Sequence, residues 1–120
     1  MDKNQIATKK GTYDQPWFVY ILKCSDKYLY TGISIDVKKR VIRHKNGKGA
    51  MFTRNKPPYE LVYVKKYENA KEAGKVEREI KRYAKSKKEK LIAEFLHRLE
   101  DSPDSEIIAI IEVNSILQKV

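Results

Sequence analysis

The eight residues from Trp17 to Cys24, WFVYILKC, constrain this chain more than any other segment. They crowd aromatic and β-branched side chains into a run too short for a typical helix and suited to a pleated, buried surface. The run therefore reads as a buried strand. Ser25-Asp26-Lys27 supplies a turn and Leu29-Tyr30-Thr31-Gly32-Ile33 a second strand, so the two should pair as a hairpin. Register has a functional consequence. Tyr20 and Tyr30 have the same parity and share a face only if the loop is odd in length, for example Asp26 to Tyr28 with Cys24 opposite Tyr30. A loop of even length would separate them.

Past the hairpin, Ser34 or Asp36 can cap a helix from about Val37 to Lys45, ended by Asn46-Gly47. Residues Gly47 to Pro58 hold two Gly, two Pro and three basic residues, the composition of a long basic loop of the kind that touches ligands. A third strand is expected within Tyr59 to Tyr67, around Leu61-Val62-Tyr63-Val64. Asn69 with Glu72 makes a capping box for a helix from about Ala70 to Ala84. Ser86 with Glu89 repeats the signature ahead of a stripe formed by Leu91, Ile92, Phe95, Leu96 and Leu99, so a third helix should follow. From Asp101 to Val120 the β-branched content suits a strand, whereas Ile107, Ile110, Ile111, Asn114, Leu117 and Gln118 share one helical face. A helix is the expectation there, docking on the core or on another subunit. The organisation that follows is a flexible lead-in over residues 1–15, a folded unit over 16–99 and an acidic, apolar extension over 100–120.

At 120 residues there is room for one core, and no stretch approaches the roughly 20 apolar residues that cross a bilayer. The first residues do not resemble a secretory signal, so a soluble, cytoplasmic protein with no membrane contact is expected. The lone Cys24 lies in the apolar run and reads as a small buried hydrophobe. Charge is the stronger signal. The net charge is +10, and between Asp36 and Lys56 eight basic residues face one acid: Lys38, Lys39, Arg40, Arg43, Lys45, Lys48, Arg54 and Lys56. From Leu99 to Val120 the balance reverses, with five acids against Lys119. A concentrated basic field favours phosphate backbones through counterion release, although it also serves simply to keep a surface solvated.

Candidate chemistry starts at Glu77. In the second helix Ala73, Val76, Ile80 and Ala84 form the apolar side, and Glu77 falls on that side while Glu79 points away. A carboxylate there needs an ion-pair partner, a metal or the rim of a cleft. Arg40 and His44, four residues apart on the first helix, flank the side carrying Val37 and Val41. Arg40 could hold a phosphate oxygen bidentately, or be an ordinary surface arginine. Tyr20 and Tyr30 suit either packed strand positions or a general base whose pKa a cation lowers. Gly32 would let phosphate approach the backbone or relieve a tight strand exit.

Taken in order, the segments Val19-Tyr20-Ile21-Leu22, Leu29-Tyr30-Thr31-Gly32-Ile33, Arg40, Gly47-Lys48-Gly49-Ala50 and Glu77-Arg78-Glu79-Ile80-Lys81 resemble the GIY-YIG nuclease family, and most closely its short single-domain members. Phe18 stands where the first name motif has Gly, and Thr31 where the second has Ile. The resemblance implies an α+β fold with a small three-stranded mixed sheet flanked by helices, plus an added C-terminal element. It also implies an endonuclease that hydrolyses phosphodiester bonds with one divalent metal, Mg²⁺ or in its place Mn²⁺, held by Glu77 alone among the protein's side chains. Tyr30 would take the proton of the attacking water and Tyr20 position the water or the base, two roles that could be exchanged. Arg40 would steady the developing charge and His44 assist proton transfer or bind phosphate.

The implied substrate is nucleic acid, DNA ahead of RNA, cut in a structure- or damage-directed way in repair or recombination. Lys38, Lys39, Arg43, Lys45, Lys48, Arg54, Lys56 and Gly32 would contact it. The alternative is a binding module that keeps the basic groove without cutting. A protein partner or self-association through residues 104–120 is compatible with either.

Overall fold

The computed structural model describes residues 14–118. All but the last two residues of the expected lead-in therefore lie outside the described residues. Three strands, β1 (Trp17–Cys24), β2 (Tyr28–Ser34) and β3 (Tyr59–Tyr67), combine with helices α1 (Val37–Lys45), α2 (Ala70–Lys81), α3 (Lys85–Asp101), α4 (Ser105–Ile111) and α5 (Asn114–Leu117). A single 3₁₀ turn, Met51–Thr53, interrupts the basic loop. Among the described residues no helix is long and apolar enough to cross a membrane.

The hairpin loop is odd, as a shared tyrosine face requires. It is Ser25–Lys27, with Cys24 opposite Tyr28, so the register lies two residues from the Cys24–Tyr30 example. Ser25 and Asp26 both take positive φ, 54° and 58°, and Lys27 N–H closes the turn on the Cys24 carbonyl at 3.1 Å. Left-handed residues of this kind match the twist of the flanking strands. Tyr20 accordingly faces Gly32, and Tyr30 faces Leu22.

The sheet order is β2-β1-β3, and the expectation of a mixed sheet is corrected: β1 pairs antiparallel with both neighbours. The reason is topological. α1 and the basic loop carry the chain from the end of β2 back to the Cys24 end of β1, where β3 starts with Tyr59 opposite Cys24. β2 and β3 thus run in the same direction without touching. A bulge between Ile21 and Leu22 leaves Val62 without a partner on β1. Val62 and Tyr63 both then point to the same core.

β1 is buried along nearly its whole length because both faces of the sheet are covered. On one face Phe18, Tyr20, Leu22 and Cys24 pack with Val37 and Val41 of α1 and with Ile107, Val113 and Leu117 of the C-terminal segment. On the other, Val19 and Ile21 meet Ala73 and Ile80 of α2, with Leu91, Ile92 and Phe95 of α3. Burial lifts the Cys24 thiol to about 11, which makes it the inert core residue the sequence suggested.

Helix ends follow local chemistry, with one exception. The Asp36 carboxylate accepts from Lys39 N–H at 3.1 Å and the Asn69 side chain from Glu72 N–H at 2.9 Å. α2 stops at Lys81, leaving Ala84 outside it, and α3 starts at Lys85 behind an extended Ala84, so Ser86 is no cap. The Ala84 carbonyl already accepts from Lys88 N–H at 3.1 Å, which places Ser86 within the first turn.

The C-terminal segment is helical, as expected, but broken into two short helices. It docks on the chain's own sheet. Asn114 accepts from Leu61 N–H at 2.7 Å and donates to the Leu61 carbonyl at 2.9 Å, reproducing the bonds of a neighbouring strand on the free edge of β3. Gln118 donates to the Tyr59 carbonyl at 3.1 Å and Lys45 Nζ to the Ile116 carbonyl at 3.1 Å. Lys66 pairs with Glu106 at 3.1 Å.

Candidate active site

Four elements deliver the expected residues to one place: β1 brings Tyr20, β2 brings Tyr30, α1 brings Arg40 and His44, and α2 brings Glu77. The odd hairpin loop sets Tyr20 and Tyr30 side by side, ring centroids 6.4 Å apart. His44 lies 6.1 Å from the Tyr20 ring and 5.0 Å from that of Tyr30. Arg40 and Glu77 both stand close enough for their charges to act on the Tyr20 hydroxyl. Glu77 is half-buried, as its place on the apolar side of α2 foretold, and has the ion-pair partner such a carboxylate needs in Lys81, whose Nζ lies 3.4 Å away. The same Nζ lies 5.9 Å from the centre of the Tyr30 ring.

The best-defined feature is a chain of hydrogen bonds whose direction can be worked out. His44 is fully buried, with Nε2 2.9 Å from the Tyr20 hydroxyl and Nδ1 2.8 Å from Thr53 Oγ1. Thr53 Oγ1 lies 2.9 Å from the Ala50 carbonyl, which can only accept, so the threonine proton points there. Its oxygen must then accept from His44, placing the ring proton on Nδ1. Nε2 is left as an acceptor, and Tyr20 donates to it. Every proton in the series Tyr20–His44–Thr53–Ala50 points from the site towards the loop.

Electrostatics support a neutral ring at His44. Burial, followed by the charges of Arg40 and Arg43, lowers its pKa from 6.5 to about 4. Burial raises the Tyr20 hydroxyl above the ordinary tyrosine value, Tyr30 and Glu77 add to this, and Arg40 opposes it. Tyr20 is 1% exposed and Tyr30 is only half-buried, so Tyr30 is the tyrosine with the freer approach. Arg40 Nε is buried and has no hydrogen-bond partner among the described residues.

Two glycines make this arrangement possible. A Cβ on Gly32 would come within 2.6 Å of the Tyr20 oxygen, and one on Gly49 would overlap His44 Nδ1. Gly32 is therefore not an open approach for phosphate: the space its missing side chain leaves is filled by Tyr20. Thr53 and Gly49 were not singled out from the sequence. A β-branched hydroxyl residue inside a Gly/Pro-rich loop is the available signal for Thr53, and the Gly-Lys-Gly-Ala segment the signal for Gly49.

The basic residues divide. Lys38, Lys39, Arg43, Lys48 and Arg54 are exposed, although Arg43 also donates to the Lys48 carbonyl at 3.3 Å. Lys45 is engaged with the C-terminal segment, and Lys56 Nζ sits over the rings of Phe52 and Tyr28, 5.1 and 5.6 Å from their centres. No group of three or more His, Cys, Asp or Glu side chains converges among the described residues. The donor set available to a metal is thus the single half-buried carboxylate of Glu77, which suits a hard cation that keeps its waters and takes phosphate oxygens.

The sequence model of the GIY-YIG catalytic domain matches residues 16–90, a span holding all five site residues. The chain belongs to the GIY-YIG family. Within this family it is similar to UPF0213 proteins of staphylococci. The protein from Staphylococcus epidermidis is 53% identical over 77 residues, covering 64% of this chain and 94% of the relative. That from Staphylococcus saprophyticus is 47% identical over the same length. The solution NMR structure of the UPF0213 protein BH0048 from Bacillus halodurans is 39% identical with a TM-score of 0.44, covering 66% of this chain and 84% of that one. The matched span ends before α4 and α5, which lie outside the GIY-YIG match.

Proposed function

We propose that this GIY-YIG chain is a divalent-metal-dependent endonuclease that hydrolyses phosphodiester bonds in DNA, directed to structured or damaged sites in repair or recombination. The observation that carries the reading is the convergence of Tyr20, Tyr30, Arg40, His44 and Glu77 from four elements beside the most basic stretch of the chain. Glu77 would hold Mg²⁺, or Mn²⁺ in its place, and the ion when bound would supply charge neutralisation at the scissile phosphate.

The chain's own residues do the rest. Tyr30, the less buried tyrosine, takes the proton of the attacking water as a phenolate, its own proton having first been released to solvent. Tyr20 already donates its hydrogen bond to His44, so its oxygen is turned to accept and orients Tyr30 or the water. Arg40, whose Nε has no partner among the described residues, meets a phosphate oxygen with its guanidinium. Burial is the main cause that holds His44 down, and phosphates facing Arg40 and Arg43 offset the smaller part due to those charges, so substrate binding makes His44 somewhat more basic. Lys38, Lys39, Arg43, Lys48 and Arg54 hold the strand by salt-sensitive contacts.

The test is a cleavage panel of branched, flapped, duplex and single-stranded DNA and RNA, with Mg²⁺ or Mn²⁺, comparing the wild type with Glu77→Ala. Cutting of DNA that the substitution abolishes, with binding kept, supports the reading. A wild type that binds but cuts none of the panel is instead a binding module.

A further inference from the structure

The basic loop carries a feature that the proposed chemistry does not use. Met51 and Phe52, on the 3₁₀ turn, are 79% and 47% exposed, among the most exposed large apolar side chains described. They are held up by a rigid base. Thr53 next to them is fully buried against His44, and the Tyr59 hydroxyl donates to the Thr53 carbonyl at 2.6 Å while accepting from Lys56 N–H at 3.1 Å. Fold stability gives no reason to present Met51 and Phe52 to water on so firmly held a turn.

Phe52 is also continuous with the site. Its ring stacks on Tyr30, 6.2 Å between centres and 26° between planes, and meets the edge of Tyr28 at 5.8 Å. Lys56 lies over both Phe52 and Tyr28, and Lys27 lies 5.2 Å from the centre of Tyr28. Aromatic faces interleaved with cations, next to a candidate phosphodiester site, form the type of surface on which unpaired bases stack while the backbone is neutralised. A paired base inside a duplex offers only its edges.

We infer that Phe52, with Met51 beside it, is a stacking platform for an unpaired nucleobase next to the scissile phosphate, so that the preferred substrate is nucleic acid with a bulged, flapped or frayed nucleotide. This rests on the nuclease reading for the position of the scissile bond. The occupant is a base and not an apolar side chain of a protein partner because the surroundings are cationic: Lys27 and Lys56 at the rings, with Lys48 and Arg54 exposed on the same loop.

The test uses the full chain in EDTA, so that nothing is cut, and duplexes carrying 2-aminopurine either bulged or paired. The wild type should quench the bulged probe and favour it over the paired one by about tenfold. Phe52→Leu, which keeps an apolar side chain but removes the ring, should lose the quenching and most of the preference, and Phe52→Trp should retain both. Thermal melting of each variant shows that it is folded. Equal quenching and preference in wild type and Phe52→Leu, or none in the wild type, overturns the inference. Protein that stacks the base yet never cuts with metal would keep the platform and refute the nuclease reading. Protein that cuts bulged and paired DNA alike, with or without Phe52, would do the opposite.

Discussion

Replacing Thr53 by valine tests the directed hydrogen-bond chain at the point on which its direction depends. Valine keeps the size and branching of threonine at a fully buried position, so packing changes little. What is lost is the partner that His44 Nδ1 has among the described residues and one donor to the Ala50 carbonyl. That carbonyl keeps the backbone N–H of residue 53 at 3.1 Å. The main penalty is therefore one stranded N–H in a dry site, about 1–3 kcal/mol. A urea midpoint lowered by roughly 1 M would report it. The ring can reduce the penalty by moving its proton to Nε2 and donating to Tyr20, which reverses the bond that Tyr20 makes. Cleavage should then fall by about tenfold to a hundredfold, since general acid–base steps contribute on this scale or above. Long-range ¹H–¹⁵N spectra identify the protonated nitrogen directly. They should show Nδ1–H in the wild type, Nε2–H in Thr53→Val, and Nδ1–H again in Thr53→Ser. A wild-type ring protonated on Nε2 would refute the assigned direction, and so would full activity in Thr53→Val.

Three further outcomes are expected. His44 has a folded-state pKa near 4 against 6.5 unfolded, so its contribution to stability is complete above pH 6.5 and is lost as the pH falls towards 4. Urea titrations across that window should show a decline of about 3 kcal/mol, and His44→Gln should flatten it. Gly49→Ala drives a methyl into His44 and should lower stability by about 1–3 kcal/mol in thermal melts, whereas Gly47→Asn, at an open position with φ +76°, should be close to neutral because Asn tolerates that conformation. Asn114→Leu strands the N–H and carbonyl of Leu61 on the edge of β3 and should bring concentration-dependent association, visible by sedimentation, if the extension serves to cover that edge.

The parts of the fold legible in the sequence were those governed by local periodicity and caps. Parity alone required an odd hairpin loop for Tyr20 and Tyr30 to meet, Ser34 or Asp36 marked the start of α1, where the cap is Asp36, and the apolar side of α2 marked Glu77 as out of place among its neighbours. Less legible were contacts that depend on segments meeting in space. The bulge at Val62 follows from how β3 aligns with a β1 already fixed by β2, and no residue in Leu61-Val62-Tyr63-Val64 announces it. The docking of the C-terminal segment depends on Asn114 bonding to Leu61, 53 positions away. Ser86 misled because its capping signature competes with a connector that had already turned at Tyr83, whose N–H reaches the Ile80 carbonyl at 3.0 Å.

The site itself shows how a glycine can be required by a neighbour's side chain. Gly32 and Gly49 lie in different segments, one closing a strand and the other in a Gly-Lys-Gly-Ala loop. In the folded chain both make room for a neighbouring side chain. Gly32 leaves space for the Tyr20 hydroxyl to reach His44, and Gly49 leaves space on the other side of the imidazole, so that Nδ1 can meet Thr53. The two glycines and Thr53 thus fix one imidazole between two hydroxyls, burial keeps it neutral, and the charge of Arg40 acts in the same direction. A change at any of the three should alter the protonation of His44 before it alters the fold, so the ¹⁵N signature of the ring is a more sensitive reporter of the site than stability.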